Sequence, residues 1–264
     1  MVKTKLIFDG GFIMIPSEQF QEGVEWYRKH MGWELIDTVL TPIGAKAFFK
    51  LPGGGQANLK SFELDHEHFT PEEYNEGHSR FCFSTDSLEK AKDYFSEHEI
   101  PFSETFTLPD GQMAIDIKAY ANVRLTLCQE LESNDTYPES RVATYSKTPI
   151  WYGVRNLQEA TAWYTEHLGL TVAQTDYTNK GFVLLGDKDG HHIWLQQLSA
   201  NDPMPKANPG ARAYFFIENR NEFIESQKSL RTQGIYASEP VGERWMGYHF
   251  YDPDGNRINV WNFY

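Results

Sequence analysis

The sequence predicts an α+β fold: four units, each a strand, a helix and then several strands, paired into curved sheets with helices outside and a cleft inside. Three observations carry this. Segments recur at fixed intervals along the 264 residues, helical apolar faces end at glycines, and alternating strand segments follow turn signals. Units of this size cannot bury a sheet face alone, so they must pair.

"EWYRKHMGWEL" at 25–35 matches "AWYTEHLGLTV" at 162–172 through Trp26, Tyr27, His30 and Gly32 against Trp163, Tyr164, His167 and Gly169, always 137 residues apart. Both segments read as amphipathic helices. Phe20, Val24, Tyr27 and Met31 fall on one face of the first, and Leu157, Ala160, Tyr164 and Leu168 on one face of the second. Gly32 and Gly169 supply the left-handed residue that ends each helix. A weaker repeat relates "SRFCFSTDSLEKAKDYFSEHEIPF", from Ser79, to "ARAYFFIENRNEFIESQKSLRTQGIY", from Ala211, with Arg80 and Arg212 spaced by 132 residues. Each reads as an aromatic strand, a polar turn and a helix.

The units run over 5–66, 77–130, 147–200 and 210–264. The polar stretch "LESNDTYPESRVATYSKT" at 131–148 reads as a linker, and "ANDPMPKANPGA" at 200–211 as a shorter connector. "LPGGGQ" at 51–56 precedes a strand instead of opening a helix, so it reads as a hairpin loop and not a phosphate cradle. "DPDGNRINVWNFY" closes the chain as a turn running into an alternating strand.

Hydrophobic residues make up 40% and aromatics 15% of the chain, enough for a packed core. A net charge of −13 argues against binding nucleic acid or an anionic membrane surface. "MVKTKLIFDGG" lacks the long apolar region of a signal peptide, and no apolar run reaches bilayer length, so the expected location is the cytoplasm. Cys82 and Cys128 offer neither a disulfide framework nor a CxxC metal site, and read as buried packing residues. There is no GxSxG elbow, Walker loop or dinucleotide fingerprint.

"NLQEATAWYTEHLGL" (156–170) and "FYDPDGNRINVW" (250–261) resemble the first helix and last hairpin of the vicinal oxygen chelate superfamily, which includes glyoxalase I, extradiol dioxygenases, fosfomycin-resistance enzymes and bleomycin-binding proteins. The segment at 19–33 repeats the first signature more loosely, and the likeness extends over nearly the whole chain. It implies two tandem domains, at 1–130 and 147–264 about a linker at 131–146, each two paired βαβββ modules forming a cup-shaped mixed sheet. It also implies metal-ligand positions on the first and last strands of each module, usually His, Gln or Glu. Those positions here read Phe12, Lys60 or Asn58, Arg80 and Thr126, then Pro149, Trp194, Arg212 and Asn259. None is a good ligand for a cation.

Strand alternation then gives the inward set. In the second half it is Trp151, His192, Trp194, Arg212, Tyr214, Asn259 and Trp261, a composition suited to an aromatic or anionic molecule. These residues could equally fill the cup, with Arg212 paired to an acidic neighbour. In the first half it is Phe12, Met14, Lys60, Arg80, Cys82, Arg124 and Thr126, with Arg80 and Arg124 read as structural ion pairs before an anion site, and with Arg80 kept beside the second-half set as a ligand-binding candidate. The expected function is therefore a metal-free protein of the glyoxalase/bleomycin-resistance type, binding a small molecule in the second domain's cup and needing no cofactor. One alternative is a lyase or ring-cleaving dioxygenase holding iron, zinc, manganese or nickel through His78 or His192. The cluster "ELDHEHF" (63–69) reads as a solvated loop. The other alternative is a structural or partner-binding protein with both cups filled. The sequence does not set the oligomeric state.

Overall fold

A computed structural model describes residues 6–41, 44–61, 79–129, 137, 139–174, 176–187, 189–201, 210–242 and 244–263. The first module comprises β1 (Ile7–Ile15), α1 (Phe20–Met31), β2 (Glu34–Thr41), β3 (Gly44–Lys50) and β4 (Gln56–Ser61). The second comprises β5 (Arg80–Thr85), α2 (Leu88–Glu97), β6 (Phe106–Thr107), β7 (Met113–Lys118) and β8 (Arg124–Gln129). β9 (Thr144–Val154), α3 (Leu157–His167), β10 (Thr171–Gln174), β11 (Phe182–Gly186) and β12 (His192–Gln197) form the third. The fourth is β13 (Ala211–Phe216), α4 (Arg220–Thr232), β14 (Trp245–Tyr251) and β15 (Arg257–Phe263). In place of a further strand in this module, Ala237 and Val241 make single bridges to Phe250 and Gly247.

The helices form for the reasons their sequences give. Asn156 and Asn219 cap α3 and α4 by accepting hydrogen bonds from the first free backbone N–H groups, and Ser87 caps α2. Gly32 ends α1 in the left-handed region at φ 75°, and Gly169 follows α3 at φ 67°. The apolar faces of α1 and α3 are buried against the sheets. Among the described residues, no helix is long and apolar enough to cross a membrane.

The modules form two mixed sheets with the helices outside. Each sheet, however, draws one module from each half of the chain. The seven-stranded sheet runs β14-β15-β13-β1-β4-β3-β2, joining the first module to the fourth; the eight-stranded sheet runs β10-β11-β12-β9-β5-β8-β7-β6, joining the second to the third. The seams are antiparallel. At β1–β13, Phe12 lies opposite Arg212, and at β5–β9, Arg80 lies opposite Trp151. The expectation of one cup per half is corrected here: strand edges pair according to which edges meet in space, and a long connection costs little extra closure entropy.

The two segments that carried the family resemblance bond to each other. Tyr164 of α3 donates to Asp252 Oδ2 at 2.8 Å, Arg155 N donates to Asp254 Oδ1 at 3.0 Å, and Asn256 Nδ2 donates to Gly153 O at 2.9 Å. These bonds tie the closing hairpin of one sheet to the first strand and helix of the other module. Burial lifts the Asp252 carboxyl to about 6, from the ordinary 3.8. Its contribution to stability is therefore full below the unfolded value of 3.8 and is lost as pH rises through 6. At neutral pH the ionised group depends on its donors. Tyr164→Phe is expected to cost about 1–3 kcal/mol in urea unfolding at pH 7; a loss under about 0.5 kcal/mol would mean another donor replaces the hydroxyl.

Candidate functional site

The inward residues expected to share one cup divide between two, because β9 and β12 lie in one sheet and β13 and β15 in the other. Arg80, Trp151 and Trp194 face the concave side of the eight-stranded sheet. Arg212, Tyr214, Asn259 and Trp261 belong to the seven-stranded sheet. The two environments differ in kind.

In the eight-stranded sheet, Trp151 lies directly opposite Trp194 in register, so Trp151 and not Pro149 occupies the first-strand position. Trp194 is 0% and Trp151 3% exposed, and they pack with Cys82, Cys128, Leu108, Ala114 and Leu184 into a small apolar cluster. Arg80 lies over the Trp151 ring at 3.9 Å and pairs with Asp116 at 3.6 Å. Arg124 Nε and Thr126 Oγ1 donate to the same carboxylate at 2.9 and 2.6 Å. Arg80 and Arg124 thus share one acidic partner, the structural ion pairs the sequence suggested. His192 sits half-buried at the start of β12, on the strand face of Trp194 and across from Gly186. His78 and "ELDHEHF" lie outside the described residues.

The seven-stranded sheet encloses an open cavity of about 830 Å³. Phe12 of β1, Phe48 of β3, Tyr214 of β13, and Trp245 and Trp261 at the far strands supply its aromatic walls. Phe12 packs edge-on against Tyr214 at 5.2 Å and Phe48 at 6.4 Å. The hairpin loop at Gly53–Gly55 and the start of β9, at Thr144–Ser146, also line it. The loop is tied there by Gly53 N donating to Ala143 O at 2.7 Å and by Thr144 Oγ1 donating to Gly54 O at 2.8 Å.

Cations gather on this concave face. Lys46 of β3 lies directly opposite Lys60 of β4. Like charges facing each other across strands oppose sheet formation. Lys46 is 5% exposed, with its ammonium 3.8 Å from the Trp245 ring centre. Burial takes its pKa down to about 8. Lys60 is taken down to about 7, first by burial and then by the charges of Lys46, Arg212 and Arg257. Among the described residues no carboxylate pairs with either lysine. Arg212 and Arg257 are buried, and Arg257 Nε donates to Asn259 Oδ1 at 3.1 Å while Asn259 Nδ2 donates to Ala213 O at 3.0 Å. Two carboxylates near the lysines, among the described residues, are engaged elsewhere. Asp187 accepts from Phe8 N at 2.9 Å and contacts His191 at 2.9 Å, and Asp9 accepts from Trp261.

The sequence reading missed Lys46, Phe48, Arg257 and Trp245. The signal for the first two was present in "AKAF": Lys46 and Phe48 alternate with Ala45, Ala47 and Phe49, which are buried toward the helices.

A divalent metal does not fit either cup's family positions. Around the open cup these are Phe12, Asn58 or Lys60, Arg212 and Asn259, with Lys46 and Arg257 beside them. A donor set dominated by cations repels another cation. Among the described residues, no group of three or more His, Cys, Asp or Glu side chains could hold a metal ion.

Comparison with known proteins bears on the fold. A search of curated proteins gave no match. Among solved structures, a putative dioxygenase from Bacillus subtilis superposes with a TM-score of 0.68 at 10% identity, covering 99% of this chain and 86% of that one. Glyoxalase I from Zea mays also gives 0.68, at 12% identity, covering 97% and 92%. At such identities the likeness is one of fold. The model of the glyoxalase/bleomycin resistance protein/dioxygenase superfamily matches residues 11–117 and 148–260, most of the chain. With its modules, its cups and its bonded helix and hairpin signatures, the chain belongs to the glyoxalase/bleomycin resistance protein/dioxygenase superfamily.

Proposed function

We propose that this protein binds a small organic anion with an aromatic or flat apolar body, in the cup of the seven-stranded sheet and without the family's metal. The observation that carries the reading is the juxtaposition of two lysines lacking acidic partners with an open, aromatic-walled cavity. The volume suits a drug-sized molecule. The rings offer stacking surface, and the cations offer charge-assisted hydrogen bonds to a carboxylate or similar group. In a chain of net charge −13, two facing lysines that pair with no carboxylate among the described residues are a local exception. The filled cup of the eight-stranded sheet serves as scaffold in this reading.

The test is a tryptophan-fluorescence and calorimetric titration with aromatic carboxylates and their uncharged amides. We expect the carboxylates to bind at least about tenfold more tightly, a difference of about 1.4 kcal/mol, with the preference lost in Lys46→Met. Equal affinity for acid and amide, or no binding by either, would sink the reading. So would stoichiometric iron, zinc, manganese or nickel that survives dialysis.

A further inference from the structure

The open cup contains more than an electrostatic anchor. We propose that Lys60 is a reactive amine that condenses with the carbonyl group of an anionic ligand, an oxo acid or a carboxylated aldehyde, while Lys46 on the facing strand holds the ligand's acidic group. This rests on the reading of the cup as an anion site, and goes beyond it by naming a covalent site and a ligand class.

Lys60 lies on β4 between Lys46 across one strand pair and Met14 across the other, and it lines the 830 Å³ cavity. It is half-buried, so a ligand in the cavity reaches it. Lysine becomes a nucleophile when desolvation or another cation makes the neutral amine accessible. Both conditions hold at Lys60. Its electrostatic neighbours are Lys46, Arg212 and Arg257, and burial acts in the same direction. Lys46 differs in that its ammonium is held over the Trp245 ring, 3.8 Å from its centre, a contact that favours the charged form. The two lysines are therefore suited to different tasks: Lys46 stays cationic and holds an anion, and Lys60 supplies a neutral amine.

Among the described residues, the other titratable groups lining the cup are Tyr145, raised by burial and by Asp9, with Tyr214, Asp9 and His191. Burial raises Tyr214 and Asp9, and the Asp187 hydrogen bond raises His191. None places a carboxylate on Lys60.

The condensation balances without a further reactant. The Lys60 nitrogen forms a bond to the carbonyl carbon, the carbonyl oxygen takes up the two amine hydrogens, and the C–O bond breaks to release water. The product is an imine, with no change in oxidation state.

The full chain is incubated at pH 7.5 with 4-carboxybenzaldehyde and sodium cyanoborohydride, which reduces any imine to a stable secondary amine. Benzaldehyde is the uncharged comparison. Intact mass and peptide mapping read the adduct. We expect one adduct per chain at Lys60, formed about tenfold or more faster than at exposed lysines such as Lys50. Benzaldehyde should label Lys60 more slowly, and the single adduct should vanish in Lys60→Arg and Lys60→Met. The methionine variant removes the facing charge and should fold at least as well as the parent. Adducts scattered over surface lysines, or a single adduct that persists in both variants, would overturn the proposal. Fluorescence quenching by 4-carboxybenzaldehyde without any adduct at Lys60 would overturn it while leaving the anion-binding function standing. Absence of both quenching and adduct would remove both.

Discussion

Asp116→Ala is expected to lower the unfolding free energy by about 3–5 kcal/mol, the cost of leaving a buried charge without its partner. Asp116 is the shared acceptor of the eight-stranded cup. Arg80 lies 3.6 Å away with a side chain only 5% exposed, and Thr126 donates to it at 2.6 Å. The Arg124 side chain is 35% exposed and can turn to water, so its loss contributes little. Arg80 has no such escape. It is held between Asp116 and the face of Trp151. Burial already pulls its pKa below the ordinary arginine value. The double variant Arg80→Met with Asp116→Ala should recover most of the loss, because an apolar side chain of similar length suits a site walled by Cys82, Cys128 and Trp151. Urea unfolding of the two single variants and the double variant measures this. A single Asp116→Ala variant within about 1 kcal/mol of the parent would show that Arg80 is compensated by something other than this carboxylate.

Trp194→Ala and Trp245→Ala should have opposite signatures. Trp194 is fully buried and packs edge-on against Tyr177 at 5.2 Å and Phe182 at 5.9 Å. Removing it leaves a cavity in the filled cup and should cost about 3–5 kcal/mol of stability. Binding of aromatic carboxylates by the folded protein should change less than about twofold, since Trp194 belongs to the other sheet. Trp245 is 43% exposed at the edge of the open cup. Its removal forfeits the contact with Lys46, about 0.5–1 kcal/mol of stability. Binding should fall roughly tenfold, about 1.4 kcal/mol, as a stacking wall disappears. Thermal melts combined with ligand titrations separate the two effects. A Trp194→Ala protein that folds normally but loses binding would relocate the site to the eight-stranded cup.

The sequence made the local parts of this structure legible. The faces of α1 and α3 were readable because residues three and four apart share a side whatever the helix packs on. Gly32 and Gly169 were readable because the left-handed conformation they adopt is cheap only for glycine. Strand alternation put Phe12, Lys60, Arg212, Tyr214 and Asn259 on inward faces, and it also carried the signal for Lys46. Strand parity places Arg80 and Arg124 on one face but does not name their acceptor, because Asp116 lies on a neighbouring strand, β7, and reaches them only through sheet register.

The site was less legible because it depends on two facts of assembly. Three tryptophans and a tyrosine around one arginine looked like a single binding wall when read along the second half of the chain. Two of those tryptophans, Trp151 and Trp194, pack in one sheet while Trp261 and Tyr214 line the other. Likewise, the first half's Lys60 and the second half's Arg212 influence each other only because β4 and β13 both flank β1.

What the sequence by itself determined is the module: the helix faces, their glycine ends, the strand parity, and the poor ligand chemistry at the family's metal positions, all properties of residues within a few places of one another. Only the tertiary structure decided which modules share a sheet, and so which cup buries Trp151 and Trp194 in an apolar cluster and which opens beside Lys46 and Lys60. The reason is that edge pairing and cavity filling join residues far apart along the chain, such as Arg80 with Trp151 and Phe12 with Arg212, and no local period encodes them.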